Sequence, residues 1–252
     1  MRARLSLLAV VVSHAIDESS PAPVGALGAT AALPDRAGAQ LDGACRALDI
    51  VVSAVLLVVL APLFAAIALA VKLDSRGPAI FRQRRLGREL EPFTVHKFRT
   101  MEHEAAEDHH RKFVTVLISG AIPVEQGSLS DERGSRYKMT EDSRVTRCGR
   151  LLRRSSLDEL PQLWNVLRGD MSLVGPRPPI QYEVEQYPAH WFARFAVKPG
   201  VTGLWQVSGR SDVSLEEMVA LDVEYIERRS FWLNLKIILR TIPAVLSARG
   251  AW

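Results

Sequence analysis

Asp158 and Glu159 stand directly behind a run of basic residues. Arg144, Arg147, Arg150, Arg153 and Arg154 place five positive charges in eleven residues with no acid among them. A carboxylate can attack a phosphorus centre when guanidinium groups or a divalent ion cancel the substrate's charge, and a neighbouring carboxylate can hold that ion. An Asp-Glu pair at a helix start is by itself an ordinary surface feature, so its meaning depends on what surrounds it. Further on, Val174-Gly175-Pro176-Arg177-Pro178-Pro179 fixes one arginine in an extended loop. That guanidinium has little freedom left to lose and suits bidentate binding of a diphosphate, although the same pattern also describes a rigid turn. The segment Lys198–Val207 offers backbone donors, Trp205 and the amide of Gln206, or alternatively a turn followed by a core strand. Other chemistries find no support: the six histidines include no HExxH, and Cys45 and Cys148 form no CxxC.

The elements that position these groups are legible in outline. Ser156 and Glu159 have capping-box spacing, and Leu160, Leu163, Trp164 and Leu167 form an apolar stripe at helical spacing. Pro161 is tolerated only near a helix start, so the two acids are predicted in the first turn or just before it, where unpaired backbone N–H groups favour negative charge. Short extended pieces are predicted over 79–82 and 93–98, a charge-dense helical stretch over 102–113 and a glycine-containing surface loop over 119–135. Phe231–Leu246 reads as an amphipathic helix that packs on the core or lies at a bilayer interface. The expected fold class is α-rich mixed α/β, with few strands.

The chain has 252 residues, a net charge of +4 and 48% hydrophobic residues, which excludes a disordered polymer. Its mean hydropathy of +0.05 averages two unlike populations. Ile50–Val71 is a 22-residue run without charge, roughly 33 Å long as a helix and enough to cross a hydrocarbon core of about 30 Å. Lys72–Met101 carries eight Lys or Arg against three acids, whereas residues 1–49 carry four Arg against five acids. The positive-inside tendency therefore places the carboxyl-terminal part in the cytoplasm. Pro62, thirteenth in the run, predicts a kink, leaving either a kinked spanning helix or a bent helix that returns to the same face. The basic stretches lack the motifs of nucleic-acid binding, and an anionic bilayer accounts for them more simply.

Taken together, the ordered blocks resemble the bacterial sugar transferase family, the monotopic polyprenyl-phosphate phosphoglycosyl transferases. The blocks are KLDSRGPAIFRQRRLG (Lys72–Gly87), FTVHKFRTM (Phe93–Met101), SRVTRCGRLLRRSSLDELPQLWNVLRGDMSLVGPRPP (Ser143–Pro179), VKPGVTGLWQVSGR (Val197–Arg210) and LDVEYIERRSFWLNLKIILRTI (Leu221–Ile242). The resemblance implies a lead-in over 1–45, a re-entrant membrane helix over 46–72 broken at Pro62, a cytoplasmic catalytic domain with amphipathic interfacial helices over 73–246, and a tail over 247–252. It implies a bacterial inner-membrane enzyme that transfers a sugar 1-phosphate from a UDP-sugar to undecaprenyl phosphate and releases UMP, starting exopolysaccharide or capsule assembly. Asp158 corresponds to the nucleophile that carries a covalent phosphosugar, and Glu159 to the ligand of Mg²⁺. Arg153, Arg177, Lys97 and Arg99 correspond to substrate- and phosphate-binding positions. Downstream glycosyltransferases and a homodimer are further expected partners, and a catalytically inactive scaffold is the alternative.

Three features depart from the commoner family pattern. The break is Ala61-Pro62, without the seryl hydroxyl of a Ser-Pro pair, and Asn234 stands where many relatives carry Asp, a change expected to affect packing at the membrane face. The chain also resembles the family's small form, without the additional membrane helices of larger members.

Overall fold

The computed structural model describes residues 36–102, 144–209 and 213–246. Expectations for the apolar start, the charged stretch over 103–113, the loop over 119–135 and the tail after 246 lie outside the described residues.

The uncharged run is divided between two helices. α1 spans Arg36–Val59 and α2 spans Ala61–Asp74, meeting at Leu60 with a bend of 63°. Pro62 does not interrupt a continuous helix, as a kink would require. It sits in the first turn of α2, where its missing N–H is one of the donors a helix start leaves unpaired anyway. Backbone pairing continues through the bend, from Leu60 N–H to the Leu56 carbonyl and from Phe64 N–H to the Leu60 carbonyl, both 2.9 Å. No single described helix is long and apolar enough to cross a membrane; the bent pair passes that test by length and composition.

α1 begins upstream of the expected boundary at 45 because its amino-terminal half is anchored on the rest of the chain. Arg46 donates to the carbonyls of Val166 (2.5 Å) and Leu167 (2.7 Å), and Asp42 meets Arg229 at 2.5 Å. The buried Asp49 carboxylate accepts from Leu173 N–H (2.9 Å) and from the Ser172 hydroxyl (3.1 Å). The later half of α1 and most of α2 leave Val51, Val55, Val58, Val59, Leu63 and Leu69 exposed.

After α2 the chain forms an antiparallel hairpin, β1 (Ile80–Leu86) and β2 (Pro92–Phe98), with Ile80 opposite Phe98 and Leu86 opposite Pro92. Both strands are longer than the expected extended pieces. α3 (Arg147–Arg154) is capped by Thr146, whose hydroxyl accepts from Gly149 N–H at 3.0 Å. Gly149 lies against the Thr100 backbone, and a Cβ there would come within 2.1 Å of the Thr100 carbonyl oxygen. α4 (Gln162–Arg168) leads to β3 (Ser172–Val174), which pairs in parallel with β4 (Gly200–Thr202). The short helices α5 (Gln181–Val184) and α6 (Leu204–Ser208) and the longer α7 (Leu215–Arg228) and α8 (Phe231–Leu246) complete the described helices, with 3₁₀ segments at Arg88–Leu90, Leu157–Glu159 and Ala189–Ala196.

One core cluster joins Val95, Leu163, Val166, Met171, Leu173, Val174, Tyr225 and Ile237, and thus brings β2, α4, β3, α7 and α8 together. A second gathers Tyr187, Trp191, Phe195, Trp205, Met218 and Val219. The apolar stripe of α4 differs from its expected form, since Trp164 is 52% exposed and Val166 occupies the buried face. Asn234 also lies in the interior: Tyr225 Oη donates to its Oδ1 at 2.9 Å, and its Nδ2 approaches Cys45 Sγ at 3.3 Å. Its amide therefore links α8 to α7 and α1 in the interior, not at the surface.

Candidate active site

Asp158 and Glu159 occupy a 3₁₀ turn, Leu157–Glu159, between the basic helix α3 and α4. The chain enters the turn through Ser156 at φ 56°, a left-handed conformation that costs a serine free energy and redirects the backbone sharply after α3. The capping box expected of Ser156 and Glu159 does not form: the serine makes no side-chain cap, and Glu159 is engaged elsewhere. Glu159 Oε1 accepts from Lys97 Nζ at 2.8 Å, with the two side chains about a third and a quarter exposed. Pro161 precedes α4 as its cap, so both acids lie just before that helix.

Lys97 is supplied by β2, and a buried asparagine fixes that strand to the helix behind the acids. Asn165 Oδ1 accepts from His96 N–H (3.1 Å), while its Nδ2 donates to the Thr94 carbonyl (2.6 Å). With no exposed surface, Asn165 has no water to replace these partners, so it sets the register of α4 on β2. Arg153, at the end of α3, donates from Nε to Thr100 Oγ1 at 2.9 Å. Glu159 and Arg153, on either side of Asp158 in the chain, are thus bonded to Lys97 and Thr100.

Arg99, grouped with these residues in the sequence, is directed elsewhere. It is 4% exposed, and its Nη2 donates to the carbonyls of Val71 (3.2 Å) and Ser75 (2.8 Å) and to the Ser75 hydroxyl (3.0 Å). It therefore closes the carboxyl-terminal end of α2, where helix carbonyls lack intrahelical donors. Alternation along β2 would put Lys97 and Arg99 on one face, but Arg99 lies beyond the strand's last residue, Phe98, where that alternation no longer holds.

Arg177 is half-buried on the loop that leaves β3. That loop lies on β4 at very short range, since a Cβ on Gly200 would fall 2.0 Å from Gly175 N, and one on Gly175 would fall 2.4 Å from the Lys198 carbonyl. Trp205 is buried in the second core cluster, and Gln206 Nε2 donates locally to the Val201 carbonyl at 3.3 Å. Lys198–Val207 is therefore a turn, a short strand and a helix that support Arg177. Beneath them, Arg194 pairs with Asp222 at 2.5 Å, both side chains being almost wholly buried. Burial pushes the Asp222 carboxyl up to about 6, against the opposing pull of Arg194 and Arg177.

Asp49, Asn165, Arg194 and Asp222 were not singled out in the sequence. Each is a polar residue within a helical or mostly apolar segment, and such positions carry no mark until the partner from a distant segment is known.

Among the described residues, no three His, Cys, Asp or Glu side chains gather as metal ligands. Magnesium is usually held by one or two carboxylates and completed by substrate phosphates and water. Glu159, with Asp158 beside it, fits that donor set.

A model of the family described as bacterial sugar transferase matches residues 42–248. The chain is 38% identical over 223 residues to the exopolysaccharide production protein ExoY of Rhizobium meliloti, an alignment covering 87% of this chain and 94% of that protein. It is 43% identical over 215 residues to the UDP-glucose:undecaprenyl-phosphate glucose-1-phosphate transferase of Caulobacter vibrioides, covering 82% of this chain and 71% of the relative. It is 39% identical over 207 residues to the undecaprenyl-phosphate galactose phosphotransferase of Salmonella typhimurium, where the match covers 82% of this chain and 41% of the relative. A match of that extent, running from within α1 past the end of α8, means that the chain belongs to the bacterial sugar transferase family.

Proposed function

We propose that this chain transfers a sugar 1-phosphate from a UDP-sugar to undecaprenyl phosphate, in two displacements at one phosphorus. In the first, a carboxylate oxygen of Asp158 attacks the phosphorus that bears the sugar. The bond from that phosphorus to the bridging oxygen breaks, and UMP leaves with the electron pair. In the second, a phosphate oxygen of undecaprenyl phosphate attacks the aspartyl phosphosugar and the Asp158 carboxylate departs. The product is undecaprenyl diphosphate sugar, and two inversions give net retention at phosphorus.

The observation that carries this reading is the dyad turn itself. Two adjacent carboxylates sit between the arginines of α3 and the ammonium of Lys97, 2.8 Å from Glu159. Lys97 and Arg153 offset the substrate's negative charge, and Glu159 with the diphosphate would hold Mg²⁺. When bound, Mg²⁺ supplies further charge neutralisation at the diphosphate. Arg177 presents its fork to the diphosphate of the nucleotide.

The same reading makes α1 and α2 a re-entrant pair in the bacterial inner membrane, with the catalytic residues on the cytoplasmic face. It is supported by the 63° bend, the exposed apolar side chains on both arms and the basic segment that follows.

The test is UMP release by the full chain, reconstituted with undecaprenyl phosphate and supplied with UDP-glucose, UDP-galactose or an N-acetylated UDP-sugar. Asp158→Asn is expected to abolish both UMP release and a radiolabelled phosphosugar adduct on the protein. Normal turnover by that variant removes Asp158 as nucleophile, and activity without a trappable adduct favours direct transfer. Absence of UMP release with every donor points to an inactive scaffold.

A further inference from the structure

The loop Pro176-Arg177-Pro178-Pro179 contains a single backbone N–H, that of Arg177, because proline has none. Backbone bonds can therefore hold it almost only by its carbonyls, and all four of them accept a hydrogen bond. Gly200 N–H, at the start of β4, bonds to the Pro176 carbonyl at 2.9 Å. Arg194 Nη2 bonds to the Arg177 carbonyl at 3.2 Å, and Arg85 Nη1 to the Pro178 carbonyl at 2.8 Å. Leu86 N–H bonds to the Pro179 carbonyl at 3.0 Å.

Two of these donors are buried guanidiniums, Arg85 at 8% and Arg194 at 3% exposure. Removing such charges from water is costly before partners are counted, and water could satisfy the carbonyls of a simple surface turn. Each guanidinium is in turn oriented by other groups. Arg194 Nη2 meets Asp222 on α7, and its Nη1 reaches Tyr187 Oη at 3.2 Å. Arg85 directs Nε (3.0 Å) and Nη2 (2.7 Å) at Gln83 Oε1. Both planes are thereby fixed, and the carbonyls of Arg177 and of the residue after it are fixed with them.

The hairpin gives this arrangement a functional sense. Arg85 is on β1, opposite Phe93 of β2, and β2 carries the Lys97 that holds Glu159. One two-stranded element thus bonds both the Arg177 loop and the turn of the two acids. We propose that Arg85 and Arg194 are positioning residues for the Arg177 guanidinium, holding its loop in register with the turn of Asp158 and Glu159. This rests on the reading of Arg177 as a ligand of the nucleotide diphosphate.

The experiment is a double-mutant cycle on the full chain in lipid nanodiscs. It measures kcat and KM for whichever of UDP-glucose and UDP-galactose turns over faster, alongside thermal melting. Arg85→Lys and Arg194→Lys keep the charge but replace a planar fork by a single point donor. Each is expected to lower kcat/KM tenfold or more in the parent chain and less than twofold in an Arg177→Ala background. Effects that multiply undiminished in that background, or a lower melting temperature with kcat/KM unchanged, mean that the two arginines serve the fold alone and the proposal fails. If Arg194→Lys does not fold, Arg85→Lys and the milder Tyr187→Phe carry the same comparison. Arg177→Ala alone tells the two ideas apart: unchanged kcat/KM in that variant removes Arg177 as a diphosphate ligand, and this proposal with it. Calorimetric binding of UDP repeats the cycle without turnover, so a chain that releases no UMP still tests the coupling.

Discussion

Glu159 and Lys97 meet where water still reaches both side chains, and that exposure separates their two possible contributions. An ion pair so placed adds about 1 kcal/mol or less to stability, because solvent screens it and ordering two long side chains costs entropy. An ammonium beside a reacting diphosphate acts on charge at the reaction centre, where removing one group commonly costs 10²-fold or more. Lys97→Met is therefore expected to leave the melting temperature within about 4 °C of the parent while slowing the burst of UMP formed without acceptor by roughly a hundredfold. A variant that melts much lower and reacts normally would give Lys97 a structural role instead. Asp222 supplies a second prediction. With its carboxyl near 6, protonation on acidification removes the charge that orients Arg194, and kcat/KM for the UDP-sugar falls as pH drops through about 6. The burst without acceptor is the readout, because undecaprenyl phosphate has its own ionisation near that pH. Stability runs the other way. The folded carboxyl binds its proton more tightly than the unfolded one, whose ordinary value is 3.8, so this group's contribution declines as pH rises from about 4 to 6. Asp222→Asn should flatten that limb of the profile.

At the scale of elements, the site depends on how closely α3 and β2 approach. Gly149 permits α3 to lie on the Thr100 carbonyl, from which Arg153 and the turn of the acids follow in sequence. Gly149→Ala must displace backbone and not a flexible side chain. The expected cost is about 3 kcal/mol, read as a fall of roughly 6–12 °C in melting temperature. An unchanged melting curve would mean that α3 shifts freely, and the closeness of this contact would then be incidental. Local chemistry made much of this level legible: the helix start at Pro161, the short extended pieces over 79–82 and 93–98 and the proline-bound arginine all carry short-range marks. The capping box at Ser156 misleads because a long-range partner, Lys97, outcompetes the local N–H for the Glu159 carboxylate. Arg99 misleads for a related reason. Neighbouring residues in a motif suggest a shared task, yet at the strand's end one side chain reaches the acids and the other the end of α2. Arg85 and Arg194 went unmarked because their acceptors are carbonyls far along the chain, which no spacing rule displays.

For the whole molecule, the near-zero mean hydropathy joins an apolar pair of helices to a basic body, and the two call for different solvents. The re-entrant reading predicts that single cysteines replacing Gln40 and Lys72, in a Cys45→Ser, Cys148→Ser background, react with a membrane-impermeant thiol reagent from the same side of sealed vesicles. Labelling from opposite sides would establish a spanning pair. The sequence displayed the apolar run and Pro62 plainly but not this topology, since length and composition suit either path. A practical consequence concerns any attempt to obtain the catalytic part without the membrane. Hydropathy invites a cut after Lys72, yet Arg46 closes the carbonyl end of α4, and Asp49 holds the amide of Leu173 just ahead of the Arg177 loop. Such a cut strands those buried groups at about 1–3 kcal/mol each, against a total stability of about 5–15 kcal/mol. The apolar pair and the catalytic part therefore share one helix; on the re-entrant reading, a water-soluble version would have to be made by repainting the exposed valines and leucines of α1 and α2 with polar side chains, not by removing them.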